Sequence, residues 1–503
     1  MAGDTTSPDL PVTPNAYQPT CGSNALCNSL HDIFVTRINP DGTKFLAVTY
    51  LGGSGDEAPT AIAPGPGGSI FVAGFTTSPD FPWTYGPFGP CSEVQCAFLA
   101  KFDPSATRLE FAIPLPRVIS VLSVAADSDG NIWMSGQANP GMMTKGPQLR
   151  AQLGGPFVAK LTPDAHEVLL FTYALAFEDR LSRVRTDNVG NIYLCGTVTN
   201  SSPPITLSTD AAQKSRVGTT DAVLMQLDTS GSLRYATYWG GEGSDQLLDC
   251  EIDPSGRLTV ALTESTAIQI ASFDLAARQV AYQRDFPVSA RSATASTDGT
   301  VWFLNGEAAP LIYFAKPFGD LETLGKIGEN INRCCSRPAV AAAPDGSLLF
   351  ADLAYYDLIP TLATDAPQQW KTAAADAYIQ RISASPPLHI FPASVKFTSL
   401  YAWETANFTV APASSGPTDV TLLYKVWSDQ PWIKVPSPLF VFPASVASPN
   451  SSGFRAEVGR ESPDGVARGT IFIQREGSRI RRSRFPLSSI ASAQPLHESP
   501  AIR

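Results

Sequence analysis

The sequence predicts an all-β chain: a seven-bladed β-propeller over residues 1–383, then an immunoglobulin-like β-sandwich over 384–490. Three observations predict it. Two short strand-and-turn patterns recur through the first part at intervals of roughly 40 to 66 residues, the range of propeller blades. Pro (43) and Gly (38) are abundant, which supplies turns for many short strands. Past residue 384 the recurrence stops, while short strand candidates continue at a spacing of roughly ten residues.

Composition narrows the class. At 503 residues the chain is too long for one ordinary core. Hydrophobic residues make up 43% and aromatics 10%, so the chain is not of disordered type. No apolar run approaches the eighteen or so residues of a membrane helix, so no membrane span is expected. Lys and Arg number 36 against 46 Asp and Glu, a net charge of −10. Phosphate contacts need clustered Lys and Arg, so no nucleic-acid partner is expected.

The first pattern is an apolar strand running into a polar turn. It reads DIFVTRINPDG (32–42), AFLAKFDPSA (97–106), PFVAKLTPDA (156–165) and DAVLMQLDTSG (221–231), with weaker copies at 268–277, 311–320 and 376–385. The second is a turn running into a strand. It reads PGGSIFVAG (66–74), DSDGNIWMSG (127–136), DNVGNIYLCG (187–196), DPSGRLTVAL (253–262), STDGTVWFLNG (296–306) and PDGSLLFAD (344–352). A third element, TYLGGSGDEAPTAIAP (49–64), returns as TYWGGEGSDQLLDCEIDP (237–254) and, decayed, as TYALAFEDRLSRVRTD (172–187).

One unit reads as four antiparallel strands. SVLSVAAD turns through Asp/Gly into NIWMSG, a hairpin with its turn residues in place. A long loop leads to FVAKL, and a tight turn leads to EVLLFTYAL. Several of these strands are apolar on both faces, as sheets covered on both sides require. Seven copies of the first pattern, and six of the second plus a truncated one in MAGDTTSP, give seven units in 1–383. The first unit begins at its second strand and the last ends at its third. Two readings follow: ring closure that mixes strands from both ends, or further blades beyond this sequence.

Residues 32–82 carry D-x-F-V, T-Y-L-G-G-x-x-D and A-G-F-T-T-S-P-D-F-P almost without a break, including Gly52, Gly53, Asp56, Gly74, Asp80, Phe81 and Pro82. This resembles the bacterial seven-bladed propeller repeat abbreviated SBBP. Residues 97–260 carry the pattern with losses, and 265–383 carry fragments. The resemblance implies a secreted or cell-surface bacterial protein and no particular reaction.

Residues 384–388 (ASPPL in the run SASPPL) form a Pro-rich hinge. Beyond it SDQPWIKVPSP and VARGTIFIQ are similar to the BACON type of immunoglobulin-like domain, which implies carbohydrate or mucin binding. Residues 491–503 read as a disordered tail. Charge divides unevenly: 384–503 hold 12 Lys/Arg against 8 Asp/Glu, leaving 24 against 38 in 1–383. The basic run at 475–485 reads first as an edge strand guarded by charge, and second as an acidic-surface contact.

Eight cysteines argue for an oxidising compartment. Cys21 and Cys27, and Cys91 and Cys96, stand just before equivalent strands and read as local disulfides; a zinc site would favour tighter spacing and more His. Cys195 and Cys250 fall inside strands and read as free buried thiols. Cys334 and Cys335 are adjacent, where a mutual bridge would be strained, so pairing elsewhere or free thiols is expected. The start has no basic and apolar leader, and because it opens inside a repeat unit any leader is expected upstream.

Candidate sites are few. Asp56, Asp179 and Asp245 stand at what reads as one repeat position, just before the strand that would line the channel. Carboxylates there could hold calcium, but turn carboxylates accepting backbone N–H groups account for them with fewer ligands. DSDGN (127–131) looks like the start of an EF-hand loop but lacks its Glu at position twelve, so it reads as a turn. Trp133 and Trp302 read as core, whereas Trp432, at a loop-to-strand junction, is the candidate sugar-stacking residue. His31, His166, His389 and His497 belong to no H-E-x-x-H, and no G-x-S-x-G occurs. Paired acids of glycosidase type cannot be read from sequence. The expected function is therefore a non-enzymatic scaffold at the cell surface, without cofactor, whose partner is an extracellular polysaccharide or surface protein. A polysaccharide hydrolase or lyase at the channel mouth is the alternative.

Overall fold

The computed structural model describes residues 1–305 except 23–26, 28–29, 40–43, 85, 152–153 and 265. From 306 onward it describes the strands and a few flanking residues, with side chains only at 312–316, 321, 339–343 and 347–351. Cys334, Cys335, Trp432 and the tail 491–503 lie outside the described residues. The chain divides into two compact units, Met1–Val301 and, in the main, Trp302–Arg503.

The first unit opens with a three-stranded sheet of β1 (Ala2–Thr5), β2 (Asp32–Ile38) and β3 (Phe45–Leu51), paired antiparallel in that order. Four four-stranded sheets follow, each an antiparallel meander in chain order. They are β4 (Glu57–Pro64), β5 (Ile70–Thr76), β6 (Cys96–Phe102) and β7 (Leu109–Leu115); then β8 (Val118–Ala126), β9 (Ile132–Ala138), β10 (Gly155–Leu161) and β11 (Val168–Tyr173). Next come β12 (Arg180–Thr186), β13 (Ile192–Thr199), β14 (Thr220–Leu227) and β15 (Leu233–Trp239); then β16 (Gln246–Ile252), β17 (Arg257–Thr263), β18 (Ile268–Asp274) and β19 (Gln279–Phe286). β20 (Ala290–Ala295) is the last strand of the unit. The first strand of each sheet lies against the first strand of the next, from β4 through β8, β12 and β16 to β20.

The strands are apolar on both faces because each sheet is covered on both. Along β9, Ile132 and Met134 pack with Phe71, Leu99 and Ile113 of the preceding sheet. Trp133, between them, packs with Val184, Leu194 and Val223 of the following one. Along β13, Leu194 faces back, whereas Tyr193 and Cys195 face on towards Cys250, Val260 and Phe273. Sheets stacked face to face in this way, with first strands adjacent, give a propeller-like architecture.

Repeat glycines and turn aspartates have local causes. In the four-stranded sheets each first strand carries a bulge at one place, between Pro59 and Ala61, Val121 and Ser123, Leu181 and Arg183, and Leu247 and Asp249. The carbonyl just before the bulge crowds the second strand: a Cβ on Gly74 would lie 2.2 Å from the Ala58 oxygen, and one on Gly196 2.3 Å from that of Arg180. In the hairpin turns Asp127 accepts from the amides of Asp129 (3.1 Å) and Asn131 (2.9 Å), and also from Trp133 Nε1 (3.1 Å). DSDGN is thus a turn. Trp133 is fully buried with Lys160 Nζ 5.1 Å above its ring, and Trp302 is fully buried against Phe314, so both belong to the core.

Two devices tie the fourth sheet to the fifth. Arg183 Nε donates to Asp249 (2.7 Å) and Arg185 Nε to Glu251 (2.8 Å), from β12 to β16. Cys195 on β13 is bonded to Cys250 on β16. The expectation of two free thiols is corrected: stacking of the sheets brings together cysteines 55 residues apart in sequence. The bridges Cys21–Cys27 and Cys91–Cys96 form as expected.

In the second unit β21 (Val301–Asn305), β22 (Leu311–Ala315) and β23 (Leu321–Ile327) run in order in one sheet. β24 (Ala339–Ala342), β25 (Leu348–Tyr355) and β26 (Ala375–Ile382) form a three-stranded antiparallel sheet. Farther on, Val420–Ser428 pairs with Leu439–Val441 and Val466–Arg475, and also with β23, so hydrogen bonding crosses residue 383. A second sheet holds Leu388–Phe391, Thr405–Pro412, Gly453–Val458 and Ile433–Lys434. No described helix is long and apolar enough to cross a membrane.

Candidate functional site

In a four-stranded meander the connections after the second and fourth strands emerge at the same end. In the first unit that end carries the long loops 6–31, 77–95, 139–154 and 200–219, and two of the disulfides. It also carries the loops that hold Asp56, Asp179 and Asp245. The opposite end carries the tight Asp turns.

The T-Y-x-G-G loop is built the same way twice. After β3, Gly52 N donates to Gln18 Oε1 (3.1 Å), and Gln18 N donates to Thr49 Oγ1 (2.9 Å). After β15, Gly240 N donates to Gln213 Oε1 (3.1 Å), and Gln213 N to Thr237 Oγ1 (2.9 Å). The two glycines are required by crowding carboxylates. A Cβ on Gly52 would meet Asp32 and Glu57 at 2.5 Å, and one on Gly240 would meet Asp221 at 2.6 Å and Asp245 at 2.8 Å. Gln18 and Gln213 end the phrases NAYQ and DAAQ, a likeness that the strand and glycine patterns do not include.

The repeat position of the acids is corrected by these bonds. The amide of Gly53 donates to Glu57 (3.0 Å), that of Ala176 to Asp179 (3.0 Å), and that of Gly241 to Asp245 (2.8 Å). The equivalent set is therefore Glu57, Asp179 and Asp245. Asp56 precedes it and accepts from the amide of His31 (3.0 Å). These acids stand in separate loops, and among the described residues no three Asp, Glu, His or Cys groups are placed to hold a metal ion together.

The three buried carboxylates differ in what faces their second oxygen. Glu57 accepts from Thr76 Oγ1 (2.5 Å) and Ser78 Oγ (2.5 Å). Asp179 accepts from the Thr199 amide (2.9 Å) and from Ser202 Oγ. Asp245 Oδ1 is buried and meets no amide or hydroxyl; its neighbour is the carboxyl of Glu264, with which it can share a proton. Loop length explains the change. The connection after the second strand is long in the earlier sheets but only residues 264–267 in the fifth, so Glu264 stands where hydroxyls stand elsewhere. Burial raises the Glu57 and Asp179 carboxyls above the usual range, opposed by their hydroxyl and amide donors. Asp245 is raised by burial and further by Asp221 and Asp285. Glu264 is raised by burial, Asp245 and Asp285.

No protein-family model and no curated protein matches the chain, so the SBBP and BACON resemblances have no family match behind them. Solved structures similar to it include the Dos1 propeller, at 10% identity and TM-score 0.34, covering 63% of this chain and 78% of that one. A Lactobacillus plantarum protein matches at 14% identity and TM-score 0.34, covering 63% and 88%. A puromycin hydrolase matches at 13% identity and TM-score 0.37, covering 78% and 57%. The fold assignment stands on the sheets described above.

Proposed function

We propose that the chain is a seven-bladed propeller with a C-terminal immunoglobulin-like module, working as a non-enzymatic binding scaffold in the secreted or cell-surface fraction of a bacterium. The observation that carries this reading is how the long-loop end is secured. Its buried acids Glu57 and Asp179 are spent on loop amides and hydroxyls, and two loops are closed by disulfides. Groups so used set a rigid surface rather than a reaction. Exposed Val94, Met143, Phe177 and Val217 stand in loops at that same end and would meet a partner first. Three disulfides fit an oxidising compartment. An extracellular polysaccharide or surface protein is the partner class, with Trp432 the stacking residue of the C-terminal module.

The test is binding of the whole chain to a panel of soluble polysaccharides, with reducing sugar assayed in the same wells. Binding without sugar release, weakened by Trp432→Ala, supports the scaffold and its C-terminal site. Release of sugar overturns it in favour of a polysaccharide hydrolase or lyase.

A further inference from the structure

The fifth sheet holds an oxygen that the repeat satisfies elsewhere. Asp245 is fully buried; its Oδ2 takes the Gly241 amide at 2.8 Å, and its Oδ1 meets no amide or hydroxyl donor, only the carboxyl of Glu264. Glu57 and Asp179 receive two donors each at the corresponding place. Here a second carboxyl, Glu264, faces the oxygen instead. It also stands over the Gly-Gly loop, with Oε1 3.8 Å from the Cβ position of Gly241.

The charge around this pair is negative. Asp221, on β14, closes on Gly240 from the other side, and Asp285 on β19 adds a further carboxylate within electrostatic range. Arg216 acts on Asp221, but its Nη1 is committed to the carbonyls of Thr199 (2.6 Å) and Ser202 (2.7 Å) and its guanidinium lies over the Tyr238 ring. Two facing carboxyls need either a proton shared between them or a cation in its place. An oxygen-only pair at a partly open loop suits a hard cation, above all calcium.

We propose that the loop between β15 and β16 is a calcium site, in which the ion bridges the carboxylates of Asp245 and Glu264. With two protein carboxylates, water completes the shell, which places the affinity on the order of 10⁻⁴ to 10⁻³ M, the range of extracellular modules. The ion would supply the link between the short 264–267 connection and the Gly-Gly loop that hydroxyls supply in the second sheet.

The experiment uses the whole chain and terbium as the probe, with Trp239, two residues before Gly241, as sensitiser. The expected result is saturable terbium emission displaced by millimolar calcium, together with a melting temperature raised by calcium. Glu264→Gln and Asp245→Asn weaken both at least tenfold. Glu242→Gln, which alters an exposed carboxylate of the same loop, leaves both unchanged. Because Glu264 is partly exposed, its variant keeps the fold, and the Asp245→Asn side chain can still accept from Gly241. The proposal is overturned if the wild-type chain shows neither calcium-displaced emission nor a calcium-dependent melting shift. It is equally overturned if Glu264→Gln binds as the wild type does.

Discussion

The Glu57 loop and the Asp245 loop share a backbone plan and differ in how they are satisfied. Both put a Gln side chain under the first glycine, an Asp near the start of the strand before the one that leads into the loop, and a buried carboxylate on the second glycine's amide. In the first, hydroxyls from the following hairpin complete the carboxylate; in the second, a carboxylate faces a carboxylate. The difference lies in the length of the neighbouring connection, not in the loop itself. A repeat can therefore keep its scaffold while one insertion or deletion next door turns a structural acid into an acid free for another role.

The largest expected effect separates the two loops by what anchors them. β16, which follows Asp245, is tied to the fourth sheet by Cys195–Cys250, whereas β4 has no such bridge. Replacing both cysteines by Ser should cost about 2–5 kcal/mol. Hydrogen exchange should rise across residues 246–263 and stay unchanged across 57–76. Equal loosening of both segments would show that the bridge stabilises the unit globally and not the fifth sheet in particular.

Next comes the carboxylate itself. Glu57→Ala strands the Gly53 amide and the Thr76 and Ser78 hydroxyls in a buried place, and a loss of about 3 kcal/mol is expected in denaturant titration. Asp245→Asn, without calcium, should be neutral or stabilising, since it removes one of two facing acids. A comparable loss in both variants would erase the distinction between the loops.

Much of this architecture was legible beforehand. The two strand patterns located β2, β5, β6, β9, β10, β13 and β14, because alternation within a doubly covered sheet and Asp/Gly turns are local properties. Cys21–Cys27 and Cys91–Cys96 were readable for the same reason. Cys195–Cys250 was not, because residues on β13 and β16 meet only once two sheets have stacked. Matching Asp to Asp sets Asp56 level with Asp179 and Asp245. The bond from the glycine amide instead selects the residue four positions on, which is Glu57 in one loop and Asp245 in the other. Glu264 carried no signal, since its place depends on how short a loop is rather than on any motif.

A pH titration sharpens the comparison further. Burial raises Asp32 and Glu57 in the folded chain above their unfolded values. The folded state then holds more protons than the unfolded one, so stability falls as pH rises. The fall should begin above the ordinary carboxylate range of about 4 and continue until both groups have ionised. Thermal melts of the wild type between pH 4 and 8 should decline, and Asp32→Asn should flatten part of that slope. A slope unchanged by that variant would place the protons elsewhere.

The smallest effect is the most direct test of cause. Glu264→Ser puts a hydroxyl where the second sheet has Ser78. If the facing carboxyl alone separates the two loops, the new donor should satisfy Asp245 Oδ1 and stabilise the chain by about 1 kcal/mol in calcium-free buffer. The same change should abolish the calcium response, because one of its two carboxylates is gone. Stabilisation with the calcium response retained would mean that the ion sits elsewhere. Loss of both would mean that Glu264 holds the short connection in place by contacts other than its charge, and the loop would then depend on that connection's shape.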